Sequence, residues 1–196
     1  MGGWECRGGV PTHAARWWYV RLNRQDHPWV FEGGEPYRKI AALELIATLL
    51  SEVAFGKDRA GVTRMRLVGT TDNLGNQGAI RKLMTSSFPL CTALMELASR
   101  QAQSGTEMVL RWAPREQNVE ADELSNGIFH RFRPELRVAI ACDRTTLPVM
   151  HEMLDYGRDL YRNIQESKER RGLEVHALTG GNSSKRGRGL KETDPW

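Results

Sequence analysis

The chain of 196 residues contains little of what marks secreted or membrane proteins. Its three cysteines, Cys6, Cys91 and Cys142, are widely spaced and form no Cys-x-x-Cys pair. This pattern argues against a disulfide framework and against a structural zinc site. No apolar run is long enough to cross a bilayer, and the first residues lack the layout of a signal peptide. We therefore expect a protein of a reducing compartment, cytoplasmic or nuclear, with no membrane partner.

Histidine spacing and net charge set further limits. The five histidines show no His-x-x-x-His or similar spacing, so none is assigned as a metal ligand. Lys and Arg number 28 and Asp and Glu number 24, and the resulting net charge of +4 permits a polyanionic partner without requiring one. The length accommodates one domain with a real core and an appendage.

Hydrophobic periodicity predicts the element order β-β-α-β-α-α-β-α, a mixed α/β architecture. Strands are expected near 4–7, 16–22, 65–69 and 107–112, with a further extended piece at 28–31. Helices are expected near 39–55, 75–85 and 90–103, with another beginning near Asn118. We expect three parts: an α/β domain at 1–127, a C-terminal extension with an amphipathic helix at 128–171, and a basic, Gly- and Ser-rich disordered tail at 172–196.

Three carboxylates lie where metal-binding acids are useful. Asp72 directly follows a strand and precedes Asn-Leu-Gly, although an Asp-Asn turn that only bonds its own backbone fits equally well. Glu44 lies in a mostly apolar helix, where a charge needs a partner, although a solvated polar stripe with Thr48 and Ser51 is the simpler interpretation. Asp122 begins a late helix, where the helix dipole alone favours an acid.

The segments around these acids resemble a known family. They read Ala-Ala-Leu-Glu-Leu-Ile-Ala at Glu44, Thr-Thr-Asp-Asn-Leu-Gly-Asn at Asp72, and Trp-Ala-Pro-Arg-Glu-Gln-Asn-Val-Glu-Ala-Asp-Glu-Leu-Ser at Asp122. The chain resembles the ribonuclease H domain that follows the reverse transcriptase in retroelement polyproteins, nearest to the DIRS-like type. The likeness runs over about residues 3–126 and implies a ribonuclease H-like mixed sheet with flanking helices.

The resemblance also implies a reaction. Glu44, Asp72 and Asp122 would hold two Mg²⁺ ions, or Mn²⁺, for hydrolysis of the RNA strand of an RNA–DNA hybrid. Arg81, Lys82 and Arg115 would be phosphate contacts. The upstream reverse transcriptase domain would be a partner within the parent polyprotein.

Two departures from the family pattern stand out. The family's first catalytic aspartate lies on an opening strand that precedes the strand of Trp4, and this chain has no residues there, so we expect an N-terminally truncated domain. That strand is central in the family's sheet, so its loss would leave a gap, and the chain would be weakly active or inactive alone. Where many members have a histidine before the last aspartate, this chain has Trp112.

Two other functions remain open from the sequence. The chain could be a non-catalytic, nucleic-acid-binding remnant in which the fold survives and the metal site does not. An integrase or a structure-specific nuclease could use the same fold, since fold does not fix function.

Overall fold

The computed structural model describes residues 1–5, 10–32, 39–56 and 65–178. The chain divides into two units, Met1–Gly157 and Arg158–Trp196. Of the elements in the described ranges, the first unit holds the strands and the helices up to the start of the last helix. In the second unit, the described residues 158–178 continue that last helix. Among the described residues, no helix combines the length and the apolar character that crossing a membrane requires.

The described residues form a mixed α/β fold, as the sequence predicts. The elements are β1 (Gly2–Trp4), β2 (Trp17–Tyr19), α1 (Pro28–Phe31), α2 (Ile40–Gly56), β3 (Met65–Thr71), α3 (Leu74–Lys82), α4 (Leu90–Ser104), β4 (Thr106–Trp112), α5 (Val119–Ser125) and α6 (Pro148–Leu178). The helices expected near 39–55 and 90–103 and the strands expected near 65–69 and 107–112 are confirmed within two residues at each end.

Two expectations about secondary structure are wrong. The segment 28–31 forms the helical turn α1 rather than an extended piece, because Pro28 occupies its first position, where the fixed φ of proline suits a helix start. Helix α6 continues to Leu178, so the first residues of the tail expected at 172–196 are helical. The rest of that tail lies outside the described residues, as do residues 6 and 7 of the strand expected at 4–7.

The strands form two separate two-stranded sheets within the described part of the chain. Strand β1 runs antiparallel to β2, with Gly3 opposite Trp18. Strand β3 runs parallel to β4 along its whole length, from Met65 opposite Thr106 to Thr71 opposite Trp112. The carboxyl ends of the parallel pair therefore lie side by side.

Helix α2 contacts both sheets. Its Ser51 Oγ accepts a hydrogen bond of 3.1 Å from the indole N–H of Trp18 in β2. One turn earlier, the methyl group of Thr48 lies 4.0 Å from the position that a Cβ would take on Gly69 of β3. Helix α2 thus contacts the antiparallel pair through its C-terminal half and the parallel pair through its middle.

The main core lies around α2 and α4. Its most buried side chains come from several elements, and α6 and the segment before it contribute to the same core: Trp18, Leu45, Ile46, Leu49, Leu50, Ala93, Leu97, Leu147, Met150 and Leu154. Glu96 of α4, only 2 % exposed, accepts from Arg100 Nε at 2.8 Å and from the main-chain N–H of Met150 at 3.0 Å. Through its hydrogen bond to Met150, this buried carboxylate links the start of α6 to α4.

A second, smaller cluster lies on the other face of the β1–β2 pair. Adjacent residues of a strand point to opposite faces, so Trp18 packs towards α2 while Trp17 packs with Leu124 of α5 and with Phe132. Gly2 makes this contact close, because a Cβ on it would lie only 2.6 Å from the Cβ of Leu124. Helix α5, which carries Asp122, is therefore fixed directly against β1.

Candidate functional site

Asp72 lies in the short loop between β3 and α3, at the carboxyl end of the parallel strand pair. Asn73 is the N-cap of α3 and accepts a hydrogen bond of 3.2 Å from the main-chain N–H of Asn76. The indole N–H of Trp112, at the end of β4, donates to the main-chain carbonyl of Asp72 at 3.1 Å. The backbone-capping role that the sequence allowed for Asp72 thus belongs to Asn73, and the backbone of Asp72 is held from the neighbouring strand.

Glu44 projects from α2 towards this loop. Its Oε2 accepts hydrogen bonds from Asn73 Nδ2 at 2.7 Å and from Asn76 Nδ2 at 3.3 Å. Asn76, which is 1 % exposed, also donates to the carbonyl of Ala41 at 2.9 Å. The two asparagines therefore orient the Glu44 carboxylate and tie α2 to the end of β3.

The pKa of Glu44 reports which charges surround it. Burial raises this pKa above its usual value, and the hydrogen bond from Asn73 lowers it. The negative charge of Asp72 raises the pKa further, and the positive charge of Arg115 lowers it. Glu44 is thus within electrostatic range of both an acid and a guanidinium group. The solvated stripe considered from the sequence does not describe a half-buried carboxylate with these partners.

Asp122 reaches the same region through Arg115. Arg115 belongs to the 3₁₀ turn Arg115–Gln117 between β4 and α5, and Asp122 lies in the first turn of α5. Arg115 Nη2 lies 3.2 Å from Asp122 Oδ1, and the side chains are 73 % and 48 % exposed. One guanidinium group therefore pairs with the acid of α5 and acts on the acid of α2.

The predicted acids come together in part. The charge of Asp72 acts on Glu44, whereas Asp122 is linked to Glu44 through Arg115. Within the described ranges, no three His, Cys, Asp or Glu side chains lie close enough together to hold one metal ion. The arrangement fits a cation site in one respect: a positively charged group already lies among carboxylates that come from separate elements.

The predicted phosphate contacts do not form one patch. Arg81 and Lys82 are exposed in the last turn of α3, at the opposite end of that helix from the Asp72 loop. A helix of this length separates its ends by roughly 12 Å. Arg81 lines an open groove of about 710 Å³ between α3 and β4, together with Arg66 and Arg111. Only Arg115 of the three predicted contacts lies at the carboxylates.

Asn73, Asn76 and the indole of Trp112 had no role predicted from the sequence, although all three lie inside the motifs around Asp72 and Asp122. The spacing of Asn73 and Asn76 is that of an N-cap and the residue three positions on, a signal that a capping analysis can detect. The bond from Trp112 to Asp72 depends on the parallel register of β3 and β4 and leaves no local pattern.

Comparison with protein-family models, with curated proteins and with solved structures finds no match for this chain.

Proposed function

We propose that this chain is a ribonuclease H-type domain of a DIRS-like retroelement polyprotein, and that its site cleaves the RNA strand of RNA–DNA hybrids. One observation carries the proposal. Glu44 from α2, Asp72 from the end of β3 and Asp122 from α5 are connected by direct charge interaction and through the Arg115 guanidinium. A shared divalent cation would explain why acids from three distant segments lie around one guanidinium group.

The residues around the site support this chemistry. Glu44, Asp72 and Asp122 would hold the divalent cations, two Mg²⁺ or Mn²⁺, which when bound supply an activated water and stabilise charge on the leaving oxygen. Asn73 and Asn76 fix the Glu44 carboxylate, which limits the reorganisation needed for binding. Recognition of the hybrid would depend on 2′-hydroxyl groups in its wide minor groove and on phosphate contacts.

The strand arrangement supports the proposal independently of the acids. In the family resembled, an opening strand that bears a fourth acid lies between the second and fourth strands. Here the corresponding pairs, β1–β2 and β3–β4, are separate sheets that both contact α2. We therefore propose that the complete site needs that strand and that this chain alone cleaves weakly or not at all. The natural setting would be a polyprotein with an upstream reverse transcriptase, in the cytoplasm or nucleus.

The test is a cleavage assay on a hybrid whose RNA strand carries a fluorescent label. The chain extended at its N-terminus through the upstream polymerase region is expected to release labelled fragments in Mg²⁺, and its Asp72→Asn variant is expected to release none. Arg66→Gln removes a positive charge from an exposed ion pair with Glu107 near the far end of the parallel strands and serves as the matched control. No cleavage by the extended chain, or full cleavage by the Asp72→Asn variant, would refute the proposal.

A non-catalytic nucleic-acid-binding remnant is the second candidate. The observation in its favour is that the described acids form no ready-made group of three around one metal position. A Mn²⁺ titration followed by thermal unfolding separates the two. A competent site gains about 2.7 kcal/mol of stability when Mn²⁺ is at 100 times its Kd. A remnant shows no such gain and binds the hybrid equally well in EDTA.

A further inference from the structure

Arg115 combines two properties at the candidate site. Its guanidinium pairs with Asp122 and acts on Glu44, so it neutralises acids of the candidate site. It is also 73 % exposed, in a short turn between β4 and α5, so it can leave that pair without disturbing the core. Exposed ion pairs of this kind are weak, and their partners exchange readily.

A competing partner for this guanidinium is present in the substrate of the proposed function. Guanidinium groups bind phosphate through two parallel hydrogen bonds, and this pairing is stronger than a single contact with a carboxylate oxygen. The recorded contact with Asp122 joins one nitrogen to one oxygen, at 3.2 Å. Arg115 can therefore bind a phosphodiester more strongly than it binds Asp122.

A divalent cation and the guanidinium compete for the same carboxylate. Both are positively charged, so each weakens the binding of the other to Asp122 and Glu44. While Arg115 pairs with Asp122, its positive charge disfavours a second cation at that carboxylate.

From these contacts we infer that Arg115 is a displaceable counter-ion that couples metal binding to nucleic-acid binding. Without nucleic acid, its guanidinium pairs with Asp122 and opposes metal binding. When a phosphodiester backbone binds, Arg115 moves to a phosphate and releases Asp122 to the metal. Because such coupling is reciprocal, metal also strengthens nucleic-acid binding. This inference rests on the proposed function, and it changes the predicted role of Arg115 from a fixed phosphate contact to a switch between two anions.

Calorimetric titration of the full chain with Mn²⁺, in the absence of nucleic acid, tests the first half of this cycle. Removing the competing charge is expected to make Arg115→Gln bind Mn²⁺ about fivefold more tightly than the unmodified chain. Arg115→Lys, which keeps the charge, is expected to remain close to the unmodified chain. Arg66→Gln makes the same charge change at the exposed Glu107 pair and is expected to leave Mn²⁺ affinity unchanged. Asp72→Asn identifies the heat that comes from this site, because it should abolish it.

The second half is tested with an RNA–DNA hybrid that keeps its 2′-hydroxyl groups, because the proposed function expects the chain alone to cleave it weakly or not at all. This hybrid is expected to tighten Mn²⁺ binding to the unmodified chain and to have a much smaller effect on Arg115→Gln. In Arg115→Gln, the plot of log hybrid affinity against log salt concentration should also be less steep by about one unit, which corresponds to the loss of one phosphate contact.

The outcomes separate the two levels of the interpretation. If the unmodified chain and Arg115→Gln bind Mn²⁺ equally, or if the variant binds it more weakly, the counter-ion role is wrong while the proposed function stands. If no form of the chain binds Mn²⁺, the counter-ion role fails, and cleavage by the extended chain still decides the proposed function.

Discussion

The contact between β1 and α5 leads to a prediction with a defined magnitude. In Gly2→Ala, the new Cβ would lie 2.6 Å from the Cβ of Leu124 and 2.9 Å from its carbonyl carbon, whereas ordinary contacts begin near 3.4 Å. Both atoms belong to or adjoin the backbone, so α5 has to move by about 0.8 Å, the difference between 3.4 and 2.6 Å. Overpacking of this kind costs about 1–3 kcal/mol.

Thermal unfolding monitored by circular dichroism measures this loss of stability. For a unit of this size, each kcal/mol lowers Tm by roughly 2–4 °C. Gly78→Ala is the matched control, because a Cβ on Gly78 of α3 meets nothing within 4 Å. It should raise stability by about 0.5–1 kcal/mol, as alanine does in place of glycine within a helix. The proposed packing of α5 is refuted if Gly2→Ala melts at or above the temperature of the unmodified chain. Since Asp122 lies two residues before Leu124, the same variant should also weaken Mn²⁺ binding.

Three further predictions concern buried polar groups. Burial raises the pKa of Glu44 above the usual 4.5, so the folded protein loses stability as pH rises from about 4.5 through the raised pKa and Glu44 ionises. Glu44→Gln should therefore resist urea better than the unmodified chain at pH 7, and this advantage should disappear below about pH 4.5. An equal advantage at both pH values would contradict the argument. Burial raises the pKa of Cys142 to about 12, so its thiol should resist iodoacetamide at pH 8 in the native protein and react after unfolding, as measured by mass spectrometry of its peptide. Glu96→Ala removes the acceptor of the Arg100 Nε–H and of the Met150 N–H, while Arg100 keeps Glu52 and the Thr146 carbonyl as partners. The substitution should cost about 1–3 kcal/mol in thermal unfolding, and no measurable loss would show that solvent replaces the carboxylate.

Periodicity predicted the elements whose faces are buried in a regular way. Helix α2 is apolar on most sides, and its narrow row of Glu44, Thr48 and Ser51 was visible in the sequence because helical spacing places these residues together. The structure shows what that row contacts: the Asp72 loop, Gly69 of β3 and Trp18 of β2. Sequence alone could not assign these contacts, because they depend on how two distant strand pairs meet one helix.

The sequence indicated the acids of the candidate site but not the groups that surround them. Motif order indicated Glu44, Asp72 and Asp122, since carboxylates in buried or strand-end positions need a reason to be there. The partner of Arg115 was not predictable, because a short turn places it beside an acid seven residues later rather than on an open surface. The helical turn at 28–31 was missed because aromatic and β-branched residues favour strands, while a single proline and tertiary burial decided otherwise.

The separation of the two sheets has a consequence for hydrogen exchange. Main-chain bonds join Met1 to Val20 and Glu5 to Arg16, so alternate residues of β1 are turned towards β2 and Gly2 and Trp4 are turned away from it. Among the described residues, no strand pairs with that outward edge or with the second edge of β3. The amide protons of Gly2 and Trp4 should therefore exchange with solvent deuterium faster than those of Gly3 and of Val20, which directly follows β2 and donates to the carbonyl of Met1. An added strand that slowed exchange at Gly2 and Trp4 would reveal itself by that change alone.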